Sequence, residues 1–132
     1  FSRGDVGLAV QASAAIEGQF TPVRIRGERY CDADLRMPLP VRLARSLGAT
    51  RVLAVDASAH EERAPPGAEA YRAGDLRKRA LTEPDARLAD VLLHPDIGYW
   101  AGMSREYRER LIATGYRDTI ASADKLRTLH AG

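Results

Sequence analysis

Residues 26–58 read RGERYCDADLRMPLPVRLARSLGATRVLAVDAS, and two aspartates, Asp32 and Asp34, fall in the turn between a strand-like run and a helix-like run. In α/β proteins the position just past a strand is where ligand and catalytic groups gather. A carboxylate placed there serves as a general base when desolvation raises its pKa towards the working pH. The same pair, with Asp56 at the end of VLAVD as a third oxygen ligand, also has the chemistry of a divalent-cation site. A third role is structural, since aspartates routinely cap turns and helix N-termini. Spacing alone gives that structural role the largest share, because a single D-x-D is a weak signal.

Other reactive side chains add little on spacing. Cys31, the one cysteine, adjoins Asp32 and would need a distant histidine to become a nucleophile; a small buried apolar residue at a strand end is its simpler role. His60, His94 and His130 fall in a loop, at a strand end and at the C-terminus, and nothing in the sequence pairs them. No H-x-x-x-H is present, and none of Ser2, Ser13, Ser46, Ser58, Ser104 and Ser122 lies in G-x-S-x-G, the strained turn that exposes a nucleophilic serine. No Gly-Gly pair supplies a loop to cradle an oxyanion or phosphate. The chain thus contains a candidate base and no convincing nucleophile.

Composition bounds the partners. A chain of 132 residues, 45% hydrophobic and 29% charged, can bury one core. Its net charge of +2 is too small to argue for nucleic acid. All but two of its basic residues, Lys78 and Lys125, are arginines, scattered rather than clustered. A lone cysteine excludes an intrachain disulfide and multi-cysteine zinc patterns, and fits a reducing, cytoplasmic setting. No apolar run approaches a membrane span. The chain opens on Phe1 rather than Met, with no n-region and h-region of a signal peptide, and runs quickly into a helical pattern, as a segment of something longer would.

The elements that would position Asp32 can be read from periodicity. Val6, Val10, Ser13 and Ala14 predict a helix over 5–16, closed by Gly18 and Pro22. PVRIRGERYC predicts a short hairpin turning at Gly27-Glu28. PLPVRLARSLG places Pro40 at a helix start and Gly48 at its end. RVLAVDAS and ADVLLHPD read as buried strands of the parallel type, and Tyr107, Leu111, Ile112, Tyr116, Ile120, Ala123 and Leu126 trace one face of a long C-terminal helix. Residues 59–75, rich in Ala, Glu, Pro and Gly, read as an exposed loop. With a helix between the two strands, the order is an α/β pattern, short of sheet for a complete doubly wound domain.

These pieces, in this order, resemble the second half of bacterial patatin-like phospholipases. ASAAI, the following Phe20 and Pro22, the hairpin, the YCDA turn, MPLPV and VLAVD match that family's helix end, hairpin, Y-x-D-G-G/A turn, N-P-L-P-V helix start and V-I-A-V-D strand. ADVLLHPDIG and RERLIATGYRDTIASADKL resemble its closing strand and C-terminal helix. The resemblance spans nearly the whole chain apart from the 59–75 loop. It implies that residues 1–132 are the C-terminal portion of one patatin-like domain, an α/β fold with part of a three-layer sheet covered by helices.

The activity so implied is hydrolysis of acyl esters of phospholipids or related lipids by a Ser-Asp dyad. Asp32 is the dyad aspartate, and the serine and the glycine-rich oxyanion loop belong to a missing N-terminal half. No metal and no organic cofactor is implied. The implied partners are the lipid or ester substrate, that N-terminal half and, through the lipid, peripheral contact with a membrane. Departures from the family pattern are Glu17 for Pro, Ala33 for Gly, Asp34 for Gly or Ala, and Met37 for Asn. They motivate a rival reading, a non-catalytic relative serving as an interaction module. A further rival is a magnesium-dependent phosphate-handling domain built on Asp32, Asp34 and Asp56.

Overall fold

The computed structural model describes residues 3–129. Its elements are α1 (Val6–Ser13), a hairpin of β1 (Val23–Ile25) and β2 (Glu28–Tyr30), α2 (Val41–Ser46), β3 (Leu53–Val55), α3 (Arg72–Ala86), β4 (Val91–Leu93), α4 (Arg105–Ala121) and α5 (Ala123–Thr128). The class is mixed α/β. The chain divides into two units, Phe1–Pro38 and Leu39–Gly132.

In the first unit, the Asp5 carboxylate caps α1 by accepting from the Leu8 N–H at 3.1 Å. The residues expected to form the helix's inner stripe do not do so. Val6 and Val10 are 75% and 63% exposed, and the buried residues are Ala12 and Ala15. A unit this short has too little chain to cover a branched apolar stripe and closes on alanines instead. The hairpin is present with its turn one residue earlier than the sequence implies. Ile25 pairs with Glu28, leaving Arg26 and Gly27 as a two-residue turn with φ of 54° and 87°. Two successive positive φ values give the mirror-image turn whose twist suits a hairpin.

The second unit is organised by β3 and β4, which pair in parallel with Leu53 opposite Val91 and Val55 opposite Leu93. Parallel neighbours need a crossover, and α3 supplies it. The core of this unit is Leu39, Val41, Val52 and Ala54, with Ala44, Ala49, Ala86 and Ala89 packed against it. The strands are less enclosed than a parallel sheet normally is, because Leu53 and Val55 alternate to a half-open side of β3.

Helix α2 is only six residues long and is held by neighbours at both ends. Pro40, its N-cap residue, makes no side-chain cap. Asp85 of α3, 3% exposed, fills that role, accepting from the Arg42 N–H at 2.7 Å and from the Arg42 guanidinium at 2.8 and 2.7 Å. At the other end the chain closes in a Schellman motif. Ala49 N–H donates to Ala44 C=O and Gly48 N–H to Arg45 C=O, with Gly48 at φ 98°. Arg45, in the last turn, donates to Leu88 C=O and pairs with Asp90 at 2.7 Å. The Asp90 carboxylate also accepts from the Val52 N–H at 2.6 Å, which fixes the entry to β3.

The stretch 59–75 departs from the expected open loop. It contains two 3₁₀ turns, Glu61–Arg63 and Glu69–Tyr71, buries Ala68, and gives its last residues to α3. The C-terminal helix breaks at Ser122 into α4 and α5. Its inner side carries Tyr107, Leu111 and the buried Thr114, while Ile112 and Tyr116 of the expected stripe are 72% and 71% exposed. Among the described residues no helix is long and apolar enough to cross a membrane.

Burial, the largest influence on Asp85, pushes its carboxyl up, but the Arg42 N–H and guanidinium outweigh it and hold the group below its ordinary range. Asp90 is also held down, first by the Val52 N–H. A lowered folded value means that the stabilisation is present above the unfolded carboxyl value of about 3.9 and is lost as pH falls through the folded values. Urea unfolding should therefore show stability constant from neutral pH to about 5 and falling steeply below 4. Asp85→Asn should lower stability at pH 7 by about 2 kcal/mol and flatten that acid limb. Gly48→Ala should cost about 1 kcal/mol through its left-handed backbone.

Candidate functional site

Asp32 lies two residues beyond β2 and is half-buried. Its backbone N–H donates to Ala15 C=O at 2.9 Å, joining the turn to the chain just after α1. Its Oδ1 accepts from the Asp34 N–H at 2.6 Å, so the D-x-D spacing makes an Asx turn. The next turn closes where the Arg36 and Met37 N–H groups converge on Ala33 C=O at 2.9 and 2.7 Å. Asp32 Oδ2 accepts no hydrogen bond among the described residues. One carboxylate oxygen is thus pinned and the other is open to a proton donor.

Ala33 and Glu17 both sit in ordinary local surroundings. Arg26 is the one described non-glycine residue with positive φ, so Ala33 keeps an ordinary backbone and the turn forms without a glycine. Glu17 faces Arg36 at 3.9 Å; both are well exposed, and the pair adds little stability. Cys31 is a half-buried free thiol.

A second constellation arises in the unit Leu39–Gly132, at the carboxyl ends of its parallel strands. Asp56 directly follows β3 and His94 directly follows β4, and the Asp56 N–H continues the ladder to Leu93 C=O at 2.8 Å. The sequence left the histidines unpaired; the parallel register overturns that for two of them. His60 and His94 stack with ring centroids 3.9 Å apart and planes 11° from parallel. His130 lies outside the described residues. A carbonyl can only accept, so His94 Nε2, 3.0 Å from Ser58 C=O, carries the proton that it donates there, and His60 Nε2 likewise donates to His94 C=O at 3.2 Å. His94 Nε2 is 4.0 Å from Asp56 Oδ2, beyond hydrogen-bond reach.

These residues open onto a cavity of about 330 Å³ whose other wall is the inner side of α3, including Asp75, Lys78 and Thr82. Most of the ionic groups around it are engaged. Arg79 pairs with Glu61 at 3.1 Å, and His60 Nδ1 lies 3.1 Å from Glu62. Its own backbone N–H, then the His60 ring, hold the Glu62 carboxyl below its usual range. Asp75 accepts from the Tyr99 hydroxyl, and this bond pushes the phenol up to about 12. Tyr99 in turn meets Trp100 edge to face at 4.8 Å, and Trp100 meets Tyr71 at 5.5 Å. The Thr82 hydroxyl is buried without a partner. Among the described residues no group of three or more His, Cys, Asp and Glu could hold a metal ion.

The signal that could have found this constellation is positional, since Asp56 and His94 each follow a strand of one parallel pair. Compared with models of known protein families, the sequence matches none.

Because Ala33 keeps an ordinary backbone, Ala33→Gly gains nothing from conformational freedom and should lower stability by about 0.5–1 kcal/mol. Urea denaturation checks this; a stabilised variant would mean that the turn requires a left-handed residue.

Proposed function

We propose that this chain is the C-terminal portion of a patatin-like serine acyl hydrolase in which Asp32 is the base of a Ser-Asp dyad acting on lipid or related acyl esters. The observation that supports it best is the posture of Asp32. The Asp32 N–H bond to Ala15 C=O joins the ASAAI segment to the YCDA turn, two motifs on which the family resemblance rests. The Asp34 N–H fixes one carboxylate oxygen and leaves the other without a hydrogen bond among the described residues. A base needs this combination of a held orientation and a vacant lone pair.

In this reading the serine comes from a preceding segment of the same domain. Asp32 Oδ2 accepts the serine proton as the hydroxyl oxygen attacks the ester carbonyl, and returns it to the departing alkoxide. Water, deprotonated by the same carboxylate, then releases the acyl group. Backbone amides of a glycine-rich loop in that preceding segment stabilise the oxyanion. The parallel pair β3 and β4 would be two strands of the family's three-layer sheet. The substrate would be met at a membrane or micelle surface from the cytoplasmic side.

The test is the protein expressed from the start of its reading frame, assayed with p-nitrophenyl butyrate. Asp32→Asn should lower kcat on the order of 10²- to 10⁴-fold with an unchanged thermal midpoint, and residues 1–132 alone should show no turnover. Wild-type turnover by a folded Asp32→Asn protein would remove the dyad, and an inactive wild type would favour a non-catalytic relative.

A further inference from the structure

We propose that the cavity at the carboxyl ends of β3 and β4 binds a small primary ammonium compound, its N–H groups donating to Asp56 Oδ2 and to the Thr82 hydroxyl. The site is built wholly within Leu39–Gly132 and stands independently of the acyl-hydrolase reading.

Two unmet acceptors on the cavity wall carry the inference. Thr82 is 4% exposed and its hydroxyl has no partner among the described residues. A helical threonine commonly satisfies its hydroxyl on the carbonyl four residues earlier; here Lys78 C=O is not so used. Buried hydroxyls almost always find a partner, and an unmet one on a residue that lines a cavity is a candidate contact for a ligand atom. Asp56 is the second acceptor. Its side chain is only 12% exposed, and its Oδ1 accepts the Ser58 N–H at 2.9 Å. Its Oδ2 has no hydrogen bond among the described residues, since His94 Nε2 is 4.0 Å away and already donates to Ser58 C=O. A carboxylate withdrawn from water requires donors or a cation.

The sign of the ligand follows from the wall. Five carboxylates, Asp56, Glu61, Glu62, Asp75 and Glu83, face Lys78, Arg79 and the His60 ring, which donates from both of its nitrogens, and Arg79 is already committed to Glu61. The others of the five have donors: Glu62 has His60, Asp75 has the Tyr99 hydroxyl and Glu83 has Arg87. Among the described residues Asp56 alone of the five has no side-chain donor within hydrogen-bond reach. An ammonium satisfies it, and N–H groups rather than methyl groups are needed to reach both acceptors. About 330 Å³ accommodates only a short molecule, and Ala86 and Leu92 offer apolar contact to a short carbon chain.

The experiment is an ethanolamine titration of the ¹⁵N-labelled full chain, followed through its amide resonances. Saturable shifts are expected at Ser58, in the Lys78–Glu83 turn of α3 and at His94, with half-saturation on the order of 1 mM. Choline, whose nitrogen bears no hydrogen, should leave those resonances unmoved. Thr82→Val keeps the side-chain volume and removes a buried unpaired hydroxyl, so it should raise the thermal midpoint without ligand while weakening ethanolamine about tenfold. Asp56→Asn should abolish the shifts. Vesicles carrying ethanolamine headgroups tell a lipid-borne ammonium from a free one, and saturation by either upholds the site. Absence of saturation up to about 20 mM ethanolamine, equal binding of choline, response to inorganic phosphate instead, or wild-type affinity in both variants would overturn the proposal.

Discussion

The unit Leu39–Gly132 depends on the parallel pairing of two strands of three residues each. Parallel strands cannot be joined by a tight turn, so the chain must leave β3, cross through α3 and return as β4 in the same direction. This constraint fixes where α3 lies, and with it the inner row of Asp75, Lys78, Thr82 and Asp85. It also brings the residues that follow the two strands to one end. Asp56 and His94 are neighbours there because Val55 and Leu93 are register partners. The stacked imidazoles and the cavity beside them follow from that adjacency.

So short a sheet has little apolar area, and the inner row of α3 is accordingly polar. Two aspartates do much of the joining. Asp85 receives the Arg42 N–H in the first turn of α2, and Asp90 receives both the Arg45 guanidinium and the Val52 amide. A carboxylate as withdrawn as Asp85 is tolerable only when its lone pairs are filled by well-placed donors, and Arg42 fills them through both its backbone and its side chain. At the strand ends the accounting is incomplete, with Thr82 and one oxygen of Asp56 unmet. The scaffold is saturated where it holds elements together and unsaturated where it borders a cavity.

Local rules in the sequence placed most of the elements, though the hairpin turn falls one residue early and the 59–75 stretch is not an open loop. Pro40 and Gly48 bracket α2, the hairpin follows the alternation of Val23 and Ile25, and the apolar runs at 52–55 and 91–93 become the parallel pair. The Asx turn of Asp32 and Asp34 was among the roles that their spacing allowed. What failed was the inference from apolar periodicity to burial. Val6, Val10, Ile112 and Tyr116 lie on faces that nothing described covers, while alanines and Thr114 are buried in their place. Periodicity reports which face of a helix could be buried, not whether a neighbour is present to bury it. The His60–His94 stack was illegible for another reason, because it depends on the register of strands distant in sequence.

The remote capping of α2 bears on the order in which this unit assembles. A six-residue helix cannot nucleate by itself, and PLP at 38–40 provides no side chain to cap it. The carboxylate that caps its first turn, Asp85, is 43 residues away in sequence, and the one that holds Arg45 in its last turn, Asp90, is 45 away. Helix α2 is therefore a product of long-range contact rather than a seed for it. The loop from α2 to α3 must close before the helix exists, so its formation belongs late on the folding route, at the speed of loop closure and strand pairing rather than of helix propagation.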